Sequence, residues 1–409
     1  MIPRSLARVA PLFVLLSFGG ALGAETAPPT SNAVIDKTVQ IVDRNFYSQA
    51  ALPAFHDAVK AVTDSAEPLA TADAESRILT SLNASHTERV TPDQLDYYEL
   101  ADIFRYALHD DIRSLFPPDG KVTYDGIGIA SKEISGGRFI TDVYDGGPAA
   151  RAGLTAGDEI VSSDGKLFSE IGSFAGKAGG TVALQVRRHA GEAPTTVAIG
   201  VEKIEPQQMF VDAVDKSVRV IERNGRKIGV IHLWTYTTDR ITDVIYKELA
   251  TQLKDVDGLV LDLRGRWGGG PADAAEPFVS GTADMQVVDH DGDAHYVYTG
   301  FHKLVVAIID EGTRSSMEIL AYSLQRAGIP LVGTATAGDV LAATAYALPD
   351  KSLLELAVQD VIVDGKRLEG RPIAPDVAVP FDVRYAAGAD PQMDRAVAIL
   401  GQRLANGVN

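Results

Sequence analysis

The chain has 409 residues, 45% hydrophobic and 23% charged, with a formal net charge of −17 and no cysteine. That balance fits a globular protein of two or three domains with a sizeable core rather than a fibrous or disordered chain. The acidic surface argues against nucleic acid as a partner, and the absence of thiols excludes disulfides, thiolate metal sites and a cysteine nucleophile.

Residues 1–24 read as a signal peptide: Arg4 and Arg8, then an apolar run from Ala10 to Leu16, then small residues from Gly19 to Ala24. Roughly a dozen apolar residues fall short of the ~20 a bilayer span needs, so export to the periplasm or medium is expected over a retained anchor. Residues 25–117 carry apolar residues at helical spacing, as in Ala58, Val59 and Val62, and again in Leu100, Ile103, Phe104, Leu108 and Ile112. This predicts a helical N-terminal region. The polar stretch Ser81 to Asp93 breaks the period and reads as a loop that ends at a helix start near Thr91 to Asp93.

At Phe116-Pro117-Pro118-Asp119-Gly120 turn residues replace the helical pattern, which places a domain boundary there. Short β-rich pieces follow over 118–206, separated by glycines and one short helix from Pro148. From Ile228 buried-type strands alternate with helices: strands at 228–233, 258–263, 304–310 and 330–333, helices at 241–253 and 316–327. That alternation predicts an α/β core with a mixed sheet over 207–384, closed by a C-terminal helix within 385–409.

The run Gly126-Ile127-Gly128-Ile129 and the longer segment GPAARAGLTAGDEIVSSDG over 147–165 resemble a PDZ domain. The resemblance implies a mostly β module whose loop amides, at Gly126, Ile127, Gly128 and Ile129, gather a terminal carboxylate while the adjoining strand edge pairs with a polypeptide tail. A bare tight turn is the plainer alternative for the two glycines.

Three core segments carry a second resemblance: LVLDLRGRWGGG over 259–270, VVAIIDEGTRSSMEIL over 305–320 and GRPIAPDV over 370–377. Together they resemble serine peptidases of the carboxy-terminal-processing, or tail-specific, family and imply a serine-type endopeptidase acting on polypeptide tails. The resemblance places the nucleophile at Ser315, in a strand-to-helix turn, and the oxyanion donors at the amides of Ser316 and Gly268, with Gly269 in reserve. Serine is also a favoured helix N-cap, which is the competing reading of Ser315.

Most tail-specific members pair the serine with a lysine. The matching segment here, GTATAGDV over 333–340, has Asp339 at that place, and no lysine lies between Lys303 and Lys351. A carboxylate with an ordinary pKa near 4 is a weak base at neutral pH. A branch resembling the tricorn core uses Ser, His and Glu instead. This sequence has the matching Ser85-His86 pair in LNASHT over 82–87, and Glu369 just before GRPIAPDV. The resemblance therefore implies His86 as general base, oriented by Glu369 directly or through Ser85. Loop, cap and surface roles compete for all three, and His232, near a strand end, is a reserve base. The motifs call for no cofactor, and the Asp289 to His295 stretch reads as a polar loop before it reads as a metal site. Two other expectations stay open: an inactive pseudoprotease that binds C-terminal tails, and a core that binds a small apolar ligand.

Overall fold

The computed structural model describes residue 30 and residues 32–65, 70–279, 285–297 and 300–407; the signal-peptide segment lies outside them. Among the described residues, no helix is long and apolar enough to cross a membrane. The α/β core with a mixed sheet, the mostly β PDZ domain and the helical N-terminal region are all present.

The core is a six-stranded sheet in spatial order 377–378, 331–333, 304–309, 258–262, 226–232 and 219–223. Its neighbours are parallel except the last pair, Arg219–Arg223 with Arg226–His232, which are antiparallel. Both faces are covered, so the strands are continuous apolar runs rather than alternating ones. Ile228, Val230, Val260, Val306, Ile308 and Val332 face one side and pack on Met393, Ala396, Val397 and Leu400 of the C-terminal helix Pro391–Ala405. Ile231, Leu261, Ala307, Ile309 and Leu331 face the other side, among Ile241, Ile245 and Leu249 of helix Asp239–Ala250 and Leu320 and Leu324 of helix Ser316–Arg326. Each such buried aliphatic side chain contributes about 1.5–3 kcal/mol of transfer free energy.

The N-terminal region supplies helices Ala33–Asn45, Leu52–Thr63, Thr71–Thr80 and Leu95–Ile103. Its first three helices bury Ile35, Val42, Phe55 and Ile78 against Leu354, Leu356 and Ala357. Those partners belong to a hairpin, Leu341–Ala347 with Leu353–Asp360, that extends into a three-stranded sheet through Glu88–Val90. The Ser81–Asp93 stretch, expected as loop alone, thus contains a three-residue strand. Its pairing register places Glu88 opposite Glu355 and Val90 opposite Leu353. So short a strand is held by its partner and not by local propensity. Through it, the loop carrying Ser85 and His86 is tied to the core.

The PDZ domain is a five-stranded antiparallel sheet, 129–134, 137–143, 159–163, 181–187 and 195–200 in that order, around Ile140, Leu154, Phe174, Leu184 and Ile199. Strand Ile129–Ile134 is its edge.

Candidate active site

Helix Ser316–Arg326 follows the central strand Leu304–Ile309 through the turn 310–315. Ser315 stands at the helix N-cap position with φ 57° and ψ −130°, a left-handed conformation costly for a residue with a Cβ. Its side chain makes no capping bond. The hydroxyl is thus not spent on the helix, and the strained backbone is held from outside. Ser315 N donates to Asp339 O at 2.9 Å. The fully buried Glu318 carboxylate accepts from Gly338 N and Asp339 N, both at 2.8 Å, and from Thr336 Oγ1 at 2.5 Å. Burial raises the pKa of Glu318, against the three bonds it receives. Glu318 thereby fixes the loop that fixes Ser315.

The glycine turn 265–270 passes against the same serine. A Cβ on Gly268 would lie 2.3 Å from Ser315 Cβ and 2.6 Å from its Oγ, so only glycine fits. The Gly268 carbonyl is held by Tyr236 N at 3.1 Å and Thr235 Oγ1 at 3.0 Å. The amides of Gly268, Gly269 and Ser316 donate to no other described residue. Free amide donors beside a hydroxyl are the parts from which an oxyanion pocket is built.

Ser85, His86 and Glu369 come together from positions up to 284 residues apart. Glu369 accepts from Ser85 N at 3.1 Å, Ser85 Oγ at 2.9 Å and Val340 N at 2.7 Å. The Ser85 hydroxyl, having given its proton to the carboxylate, accepts from His86 Nδ1 at 2.9 Å. That arrangement leaves Nε2 of His86 as the basic nitrogen. The imidazole is 9% exposed, and burial, reinforced by the Arg314 guanidinium, pushes its pKa down to about 3. Val340 joins the two halves of the site: its amide holds Glu369, and the carbonyl of the preceding Asp339 holds Ser315. His86 and Ser315 share no hydrogen bond in this structure.

Arg314 and Asp339 complete the surroundings. Their side chains pair at 3.6 Å, and Arg314 lies over the Trp267 ring, 5.6 Å from its centroid. Buried Glu355 is pushed up to about 8 by desolvation, with Arg314 the main opposing charge. A cleft of about 760 Å³ between PDZ domain and core has Trp267, Arg314 and Asp339 on its core wall and Lys132 and Asp142 on its PDZ wall. His232 is placed elsewhere in that cleft: its ring stacks on Trp234 and its Nε2 bonds the Arg264 carbonyl at 2.5 Å.

Residues 227–379, which hold the strand, the turn at Ser315 and Glu369, match peptidase family S41, and residues 139–188 match a PDZ domain. The likeness to S41 peptidases with an associated PDZ domain thus covers 153 and 50 of the 409 residues. The chain is 27% identical over 282 residues to the carboxy-terminal processing protease CtpB of Bacillus subtilis, covering 65% of this chain and 57% of that one. The chain thus spans little more than half the length of the first curated relatives it matches. Among solved structures it shares its fold with mature CPAF (TM-score 0.52, 11% identity, 92% of this chain and 98% of that one). It likewise shares the fold of the tricorn protease (TM-score 0.51, 16% identity, 91% and 36%).

The PDZ loop is less open than its sequence leads one to expect. The amides of Ile127 and Gly128 make no hydrogen bond with other described residues, yet Gly126, Ile127, Gly128 and Ile129 are all buried. On the adjoining edge strand, Ser131 already donates through N at 2.9 Å and Oγ at 2.7 Å to the Glu170 carboxylate. Ile171 packs beside it with Ala130, Tyr124 and Leu95. An added strand engages every second residue of an edge, so Ser131, two after Ile129, is where a tail would next bond. Glu170 occupies that place. Three residues inside the quoted motifs, to which the resemblance gave no role, also turn out to shape the site: Arg314 beside His86, and Arg266 and Trp267 in the glycine turn.

Proposed function

We propose that the chain is an exported serine endopeptidase that cleaves polypeptides bearing accessible C-terminal tails. Ser315 is the nucleophile, His86 the general base, Ser85 and Glu369 its orienting pair, and the amides of Gly268 and Ser316 the oxyanion donors. The observation that carries this reading is the hydrogen-bonded run from His86 through Ser85 to Glu369, fastened to Ser315 through the backbone of residues 339–340.

In the first step His86 Nε2 takes the Ser315 Oγ proton as the oxygen attacks the scissile carbonyl carbon. The C=O pair of electrons moves onto oxygen, between the two free amides. His86 then gives the proton to the departing amine nitrogen as the C–N bond breaks, leaving an ester on Ser315. Water repeats the sequence against the ester: His86 removes its proton, the acyl carbon takes the hydroxide, and Ser315 recovers its hydrogen. Serine–base contacts that are open without substrate tighten when a chain fills the cleft. The negative oxyanion offsets the Arg314 charge that disfavours imidazolium, which moves His86 toward proton affinities useful for catalysis. Asp339 acts as the partner of Arg314 and, through its backbone, as the anchor of Ser315; it is not the base.

A tail would enter as a strand beside Ile129–Ile134, its carboxylate on the Ile127 and Gly128 amides, once Glu170 has released Ser131. Hydrolysis of an unfolded polypeptide by the wild-type chain and by Ser315→Ala tests the reading. Loss of turnover in the variant is expected, and equal turnover would sink it. The low proton affinity of His86 favours one second reading, a tail-binding protein without acyl transfer. That version predicts that a serine-directed phosphonate leaves the folded chain unmodified while tail peptides still bind.

A further inference from the structure

The glycine turn carries a second set of contacts, reaching away from Ser315 into the N-terminal region. Glu99, on helix Leu95–Ile103, is fully buried. Its Oε2 accepts from the Trp267 indole Nε1 at 2.5 Å and from Arg266 Nε at 3.0 Å. Asp96, one helical turn earlier on the same face, takes the other end of the Arg266 guanidinium. Two guanidinium groups, Arg266 and Arg314, lie over the Trp267 ring, each 5.6 Å from its centroid, and Trp267 is 6% exposed. Arg266 N is further tied to Trp234 O at 3.3 Å.

The geometry has a direct consequence for the donor next to Ser315. The Gly268 amide belongs to the peptide unit that begins at the Trp267 carbonyl, and that unit is planar, so the orientation of the N–H follows the position of Trp267. One carboxylate oxygen holds Trp267 by its indole and holds the preceding residue by its guanidinium. The Arg314 guanidinium, which also lies over that ring, belongs to the residue before Ser315. Indole, glycine turn and nucleophile turn are therefore one packed unit, and the only acidic group inside it that bonds the indole is Glu99.

We infer that Glu99 is a positioning residue of the peptidase reaction: it clasps Arg266 and Trp267 so that the Gly268 amide points at the oxygen that becomes negative in the transition state. The inference rests on the serine-peptidase reading above and adds a role for the N-terminal helical region. That region supplies the proposed base through the loop at His86 and also sets the oxyanion donor through Glu99.

A donor that acts only in the transition state lowers kcat when misaligned and leaves substrate binding alone. Glu99→Gln keeps shape and replaces the carboxylate that accepts from both partners by a neutral amide. Trp267→Phe keeps the ring and removes the indole N–H while leaving Glu99 and Arg266 paired. In the full chain, Glu99→Gln is expected to lower kcat about tenfold or more, a fraction of what losing an oxyanion donor outright costs, with KM within about twofold. Trp267→Phe is expected to act in the same direction and less. Circular dichroism and thermal melts select conditions in which both variants are folded. A structural weakening alone would scatter over kcat and KM or vanish under those conditions.

The second readout does not need turnover. In selectively labelled protein the Trp267 indole and the Gly268 and Gly269 amides give separate proton–nitrogen resonances, and Glu99→Gln should move all three while Trp234 stays in place. If the wild-type chain hydrolyses nothing and no phosphonate adduct forms, the serine-peptidase reading fails, and the glycine resonances still judge the clasp. Unchanged kcat in both variants, or Gly268 and Gly269 resonances that do not respond to Glu99→Gln, overturns the inference.

Discussion

The turn at Ser315 and the PDZ loop present opposite relations between motif and structure. The residues around Ser315 come from positions 85–86, 99, 266–268, 314–318, 336–340 and 369, and they converge on a hydroxyl and three amides that the protein leaves unbonded. The four PDZ residues are consecutive and match their motif closely, yet the chain buries them and caps the neighbouring edge with Glu170. A contiguous motif settles local backbone shape. Here Ile127 and Ile129 are part of the domain's own interior, packed with Ile140, Leu184 and Ile199, while Leu95 and Ile171 pack on the neighbouring Ala130.

The contrast can be broken by substitution at either region. The largest effect is expected at the core: His86→Ala should lower kcat/KM at least about a thousandfold against an unfolded substrate, comparable with losing the base of a triad. A residual rate near wild type in a steady-state assay would remove His86 from the mechanism. Glu369→Gln leaves the fold contacts to Val340 and Ser85 partly in place and should cost about ten- to a hundredfold in kcat, since the orienting group and not the base is changed. At the PDZ edge the sign reverses. Glu170→Ala frees Ser131 and should tighten binding of a C-terminal tail peptide about three- to tenfold by titration calorimetry, because the peptide no longer displaces a charge-assisted bond. Affinity that is unchanged or weaker would mean Glu170 does not guard the edge.

Two pH effects sharpen the core side further. With His86 held neutral down to about 3, the acid limb of kcat/KM should fall well below its ordinary value of 6.5. Stopped-flow assays with short acid exposure separate this limb from unfolding. Glu355 contributes the smaller, structural effect. Its folded-state pKa of about 8 exceeds the ordinary 4.5, so the folded chain holds the extra proton between those values. That contribution is complete below 4.5 and is lost as pH climbs through about 8. Glu355→Gln, which cannot ionise, should therefore gain on wild type progressively from pH 5 to pH 8, by roughly 3 kcal/mol at about 1.4 kcal/mol per pH unit, read from denaturant midpoints.

Much of the fold was legible in the sequence because its strands are continuous Val, Ile and Leu runs flanked by turn residues: 228–232, 258–262 and 304–309 declare themselves. The hairpin 341–360 does not. Its first strand, Leu341–Ala347, is mostly alanine and threonine, small residues with weak strand preference, and it is fixed by packing against the N-terminal helices. The proposed base and nucleophile could be named from local pairs, Ser85-His86 and Ser315-Ser316. Glu99 could not, because 168 residues separate it from Trp267 and a buried glutamate on a helix has no pattern of its own. Glu170 was hidden for the related reason that its partner, Ser131, lies 39 residues away. Side chains that act on other side chains leave no spacing to read.

The central claim is that Ser315 is an activated nucleophile despite the aspartate at the customary lysine position. Its most direct test is reaction of the folded chain with a serine-directed phosphonate, followed by peptide mapping. The account predicts a single adduct on Ser315 that forms far more slowly in His86→Ala. No adduct on the folded wild-type chain, or labelling at Ser315 that proceeds equally without His86, would contradict it.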